Sequence, residues 1–113
     1  MRLKTFELKA KAAAAEGGEH IFGSADTGSH ACYMIYGMLK PGETGRRVRP
    51  GAGHEEMILA VVGSLEVSGD YTGMLPEGSA FHLIGEETCY LANTGEKDAV
   101  YVLAGGHSDG GHH

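Results

Sequence analysis

Gly51-Ala52-Gly53-His54-Glu55-Glu56-Met57-Ile58-Leu59-Ala60-Val61-Val62-Gly63-Ser64-Leu65-Glu66-Val67 is the stretch that decides how this chain reads. A histidine and two carboxylates lead into an apolar run, Gly63 closes the run, and a second, shorter apolar alternation follows. That order places polar chemistry at the mouth of a buried strand.

Downstream, Ser68 to Gly73 carries a hairpin signal and Met74-Leu75-Pro76-Glu77-Gly78 a further turn. Short strands are expected over Ser79–Ile84, Thr88–Ala92 and Ala99–Ala104, separated by Gly85-Glu86-Glu87 and Asn93-Thr94-Gly95-Glu96. Upstream, His30–Leu39 is apolar at nearly every position and suits a strand covered on both faces, with Met34, Tyr36 and Met38 on one side and Tyr33 and Ile35 on the other. Lys40-Pro41-Gly42-Glu43 ends it, and Gly45–Pro50 reads as a polar strand or rim.

Nearer the N-terminus, His20-Ile21-Phe22 is a candidate strand and Gly23–Ser29 a loop. Leu3–Lys11 alternates imperfectly and fits an edge strand, while Ala10–Glu16 has the propensity for a helical turn and stays undecided. Short strands about ten residues apart with turn chemistry between them indicate an all-β sandwich or barrel.

Bulk properties narrow the function classes. The 113 residues make one domain. A net charge of −6 and a single adjacent arginine pair, Arg46-Arg47, leave no basic footprint for nucleic acid. No stretch approaches the roughly 20 apolar residues of a membrane span. Cys32 and Cys89, without a CxxC pairing or a secretory leader, read as reduced thiols, and the expected address is the cytoplasm.

The residues resemble the cupin family, small jelly-roll barrels (double-stranded β-helices) built from two sequence motifs. Pro41-Gly42, Glu56 followed seven residues later by Gly63, the Gly63–Val67 strand, Gly78 and Asn93-Thr94-Gly95 fall in the family's order, from roughly Met34 to Leu103. The resemblance implies a barrel over residues 29–104. Residues 1–28 would form an N-terminal strand and loop segment exchanged in a dimer, and 105–113 a mobile Gly/His tail. It also implies a divalent metal, and here the chain departs from the pattern. The two histidines that precede the family's glutamate fall on Pro50 and Ala52, or in the other register on Arg49 and Gly51. The second-motif histidine falls on Cys89. Only Glu56 remains in register, with Cys89 as a chemically possible thiolate substitute.

Other histidines could replace the missing ones. His54, two residues before Glu56, shares its face if the backbone is extended, and His82 joins them if it points inward. Such a trio suits Zn, Ni, Mn or Fe(II). The bland readings are an exposed turn for His54, a partly buried strand histidine for His82 and a small buried hydrophobe for Cys89. His107, His112 and His113 form a glycine-rich tract able to gather round an ion, and His107 completes the site if the tail folds over the mouth.

The leading expectation is a cupin barrel that holds a divalent metal and a small polar or anionic ligand, with Glu55 moving a proton if there is catalysis. The alternatives are a metal-free binding or sensing module and a nickel- or zinc-handling protein that uses the tail. A homodimer is expected, with Leu3–Lys11 covering a neighbour's sheet edge.

Overall fold

The computed structural model describes residues 2–108. Two antiparallel sheets face each other across one core. The larger orders β1 (Glu19–Phe22), β2 (Cys32–Leu39), β9 (Ala99–His107), β4 (His54–Val62) and β7 (Ala80–Ile84) from edge to edge. The smaller orders β3 (Arg46–Val48), β8 (Cys89–Ala92), β5 (Leu65–Gly69) and β6 (Gly73–Leu75).

The alternation of β4 shows why these segments are strands. Glu56, Ile58 and Ala60 are buried, while Met57, Leu59 and Val61 between them are exposed, as period-two backbone demands of a sheet with one covered face. The inward set meets Leu65, Val67, Cys89 and Leu91 from the smaller sheet and Tyr101 and Leu103 from β9. Gly63, at φ +77°, turns the chain from one sheet to the other.

Three expectations are corrected. The first concerns the N-terminal segment, which is not an edge strand. Leu8–Ala14 forms a helix, α1, because Lys9 to Ala14 are strong helix formers and the apolar alternation there is too weak to bury a strand face. α1 buries Ala12 and packs on the chain's own β1 and β2, with the rings of Phe6 and Phe22 4.8 Å apart. Gly18, at φ +70°, carries the chain from α1 to β1, and its carbonyl accepts the Met38 amide.

The second lies at the other end. β9 runs through His107 instead of stopping at Ala104, so Gly105, Gly106 and His107 are strand and not tail. The Ser108 amide then donates to the Gly53 carbonyl at 2.8 Å. Asp109 to His113, including His112 and His113 of the histidine-and-glycine tract, lie outside the described residues. The third is small: Ser24–Thr27, expected within a loop, makes one helical turn, α2, and the Asp26 carboxylate accepts the Gly23 amide.

β2 is covered on both faces only in part. Its inner residues Gly37 and Leu39 are buried, whereas Met34 on the outer face is 38 % exposed. Met57, Leu59, Val61 and Ile84 continue that bare outer face across β4 and β7. No helix among the described residues is long and apolar enough to cross a membrane.

Candidate functional site

Two rows of the larger sheet repeat one arrangement. In the first, Tyr33 of β2 pairs with Gly105 of β9, which pairs with Glu56 of β4. In the second, Tyr101 of β9 pairs with Gly37 of β2, which pairs with Glu19 of β1. Each tyrosine lies flat over the glycine beside it, and its hydroxyl donates to the glutamate on the far side. A Cβ on Gly105 would stand 2.5 Å from Tyr33 Cζ, and one on Gly37 2.1 Å from Tyr101 Cζ. Neither ring could lie there over any other residue.

The rows differ in their third partner. Arg46 Nη1 donates to the Tyr101 hydroxyl at 2.8 Å and stands 3.7 Å from Glu19, while its Nη2 donates to the carbonyls of Gly17 and Met38. That cluster is largely enclosed: Tyr101 is fully buried, the Arg46 side chain is 13 % exposed and that of Glu19 33 %. Arg46, read from sequence as part of a rim, is thus an internal cation.

The Tyr33–Glu56 row lies at the opposite end of the β2–β9 pair, at the mouth. Glu56 is 5 % exposed. Burial pushes its carboxyl above the usual carboxylate range, against the opposing pull of the Tyr33 hydroxyl and of His54. Burial and the adjoining carboxylate together push the Tyr33 phenol up. Tyr33 takes Oε2, and Oε1 has no hydrogen-bond partner among the described residues. Oε1 is not sealed in either, because His20 Nε2 is the sole enclosed unpaired side-chain atom among those residues.

His54 and His107 are register partners on β4 and β9, one row further out, with ring centroids 5.0 Å apart. His54 stands 6.4 Å from the Tyr33 ring, and its Nδ1 lies 3.2 Å from the Ala52 carbonyl. A carbonyl only accepts, so in this contact Nδ1 is the donor.

The residues singled out from sequence therefore divide. His54, Glu56 and His107 come together on the inner face. Glu55 and His82 stand on the outer face, where His82 Nε2 lies 2.9 Å from Glu55 Oε1 and Ser108 Oγ donates to Glu55 Oε2 at 3.2 Å. The expected convergence of His82 on Glu56 fails because Leu83, not His82, is the inward register partner of Glu56. Cys89 is buried in the smaller sheet's share of the core, its thiol 3.7 Å from the Tyr71 carbonyl. Cys32 is exposed.

This donor set does not fit the metal implied by the resemblance. The two histidine positions lack imidazoles, Glu56 is engaged by a phenol, and no three His, Cys, Asp or Glu side chains among the described residues gather in ligating range. A separate cleft of about 370 Å³ opens between the free edges of β6 and β7, lined mainly by Val67, Tyr71, Met74, Leu75 and Phe81. It shares no residue with the mouth cluster.

Two facing antiparallel sheets with this strand order make the fold a double-stranded β-helix of the cupin type. Comparison with solved structures agrees. The chain is similar to a protein from Thermus thermophilus at 16 % identity and a TM-score of 0.69, over 93 % of this chain and 98 % of that one. It is similar to the cupin 2 domain of an XRE family transcriptional regulator from Enterobacter cloacae at 16 % identity and a TM-score of 0.66, over 80 % and 95 % of the two chains. A predicted oxalate decarboxylase from Thermotoga maritima matches at 14 % identity and a TM-score of 0.66, over 80 % and 81 %. No family model matches the chain, and no curated protein does.

Sequence reasoning missed Tyr33, Tyr101 and Arg46. A signal for the tyrosines was present: Tyr33-Met34-Ile35-Tyr36-Gly37 and Tyr101-Val102-Leu103-Ala104-Gly105 share one Tyr-to-Gly spacing. On antiparallel neighbours, equal spacing sets each tyrosine against the other strand's glycine.

Proposed function

We propose that this chain is a binding module, a cupin barrel whose mouth takes up a small polar molecule against Tyr33, His54, Glu56 and His107, without the family's interior metal. One observation carries the reading: Glu56 is a buried carboxylate with one oxygen paired to a phenol and no hydrogen-bond partner for the other among the described residues. A desolvated carboxylate is costly unless a partner satisfies it, and a few convergent polar groups in a concave setting are what a ligand site requires. The phenol oxygen, which can still accept a hydrogen bond, adds directionality.

The test is a ¹⁵N-NMR screen of the full chain against neutral, acidic and basic small molecules. Signals of residues 33, 54–56 and 105–107 should move with at least one compound and stay still in Glu56→Gln. A screen in which those signals never move defeats the proposal. Elemental analysis of protein purified without added metal addresses the other reading, in which a stoichiometric ion is lost on His54→Ala.

We propose further that the outer face of the larger sheet covers a second copy of the chain. Met34, Met57, Leu59, Val61 and Ile84 are exposed there on β2, β4 and β7, and the two ionisable groups among them, Glu55 and His82, contact each other. A face of that composition suits self-association by stacking of sheets.

A further inference from the structure

The two Tyr-Gly-Glu rows serve as a template and a copy with one part missing. In the template, a partly buried glutamate accepts from a tyrosine hydroxyl, and that hydroxyl oxygen accepts in turn from a guanidinium lying 5.9 Å from the ring centroid. The cation offsets the burial of the carboxylate and uses the lone pairs that the phenol leaves free. In the copy, Glu56 and Tyr33 make the same contact, but among the described residues no lysine or arginine is paired with Glu56. The nearest counterpart is His54. Its ring is 6.4 Å from Tyr33, its Nδ1 is committed to the Ala52 carbonyl, and it hydrogen-bonds neither Tyr33 nor Glu56.

We infer that the mouth binds a small organic cation, a guanidinium- or ammonium-bearing molecule whose charged nitrogen sits against Tyr33 and Glu56 as Arg46 sits against Tyr101 and Glu19. The inference rests on the binding reading above and narrows its ligand to one class. The carboxylate and the phenol at the centre of the mouth both present acceptors: Glu56 Oε1 and the Tyr33 oxygen, whose proton goes to Glu56 Oε2. A nitrogen cation offers only donors and matches that set atom for atom. A free carboxylate would meet a buried carboxylate instead, a like-charge contact in a partly desolvated setting. The Tyr33 ring adds its π face, as the Tyr101 ring does for Arg46.

The experiment titrates methylguanidinium chloride into ¹⁵N-labelled full-length protein at neutral pH, constant ionic strength and in the presence of a chelator. Methylammonium chloride, sodium acetate and sodium glycolate are run in parallel. Saturable shifts confined to residues 33, 54–56 and 105–107 are expected with one or both cations and not with the anions, and Glu56→Gln should abolish them. Shifts with the anions alone overturn the cation assignment while sustaining the mouth as a binding site. Silence with both cations also overturns it; the underlying reading falls only if the wider screen is silent as well. Shifts that persist in Glu56→Gln place the binding elsewhere and overturn the inference. Should that variant not fold, Tyr33→Phe keeps the carboxylate and removes the phenol oxygen. Weakening by about tenfold, the loss of one charge-assisted hydrogen bond, then supports the assignment, and an unchanged titration overturns it.

Discussion

The phenol of Tyr33 reaches across the sheet only because Gly105, its register partner, has no side chain. The same holds for Tyr101 over Gly37, but the two sites differ in how far a ring can retreat. Tyr101 is fully buried and held by Glu19 and Arg46, whereas Tyr33 is half-buried at an open mouth.

Gly37→Ala should therefore be the more damaging of the two glycine substitutions. Overpacking a closed core costs about 1–3 kcal/mol, and Gly37→Ala should fall at or above the top of that range. Gly105→Ala should cost less, because Tyr33 can swing outward, yet it should abolish ligand-induced shifts at Glu56. Urea unfolding of both variants checks the order, and equal losses would contradict it.

Glu56 gives a pH signature. Its carboxyl is raised in the folded protein, so between the unfolded and folded values the native state binds more protons than the unfolded state, and stability falls as pH rises through that window. Tyr33, His54 and the more distant Glu19 are the groups acting on it. Glu56→Gln removes the charge, so it should unfold at higher urea than the wild type at neutral pH. The difference should shrink on acidification to about pH 4, near the unfolded carboxyl value. A gap that widens in acid would refute this.

Arg46→Met strips the internal cation from Tyr101 and Glu19 while keeping much of the side-chain volume. Hydrogen bonds to charged groups are worth about 1.5–3 kcal/mol, and Glu19, one-third exposed, regains part of that from water. A loss of about 2 kcal/mol is expected in chemical denaturation. A neutral result would mean that the guanidinium is not what closes that end.

His82→Ala should leave the mouth untouched. Its contact with Glu55 is partly exposed, with side-chain exposures of 51 % and 34 %, and pairs of that kind contribute under about 1 kcal/mol. Both the thermal midpoint and any titration at residues 33 and 56 should match the wild type. Loss of binding in this variant would return His82 to the site.

Met57→Glu places a charge in the middle of the bare outer face, where Met57 is 59 % exposed. The wild type is expected to be dimeric by light scattering and the variant monomeric, with unchanged circular dichroism. A wild-type monomer would end the proposal for this face.

Much of the fold was legible because strands announce themselves by turns. Gly63, Pro76-Glu77-Gly78 and Asn93-Thr94-Gly95 bracket β4, β5, β7, β8 and β9 within a few residues. The N-terminus misled because Phe6, Leu8 and Ala10 alternate, while the alanines around them favour a helix once β1 and β2 offer a surface to cover. At the site, period-two reasoning placed His54 with Glu56, yet the same parity needed a register that sequence does not supply to show His82 facing outward. Glycine was the least readable residue. Gly105-Gly106 looked like the start of a tail, and each is a place where another part of the chain comes too close for a side chain: Tyr33 for the first, the Ala31 carbonyl for the second.

The mirrored tyrosines also act on assembly of the barrel. If β9 were to slip by one residue against β2, both phenols would lose their flat seats at once, and the side chains of β9 would exchange faces. Two locks at opposite ends of the same ladder admit a single alignment, so the pairing of β2 with β9 is fixed by its own polar groups.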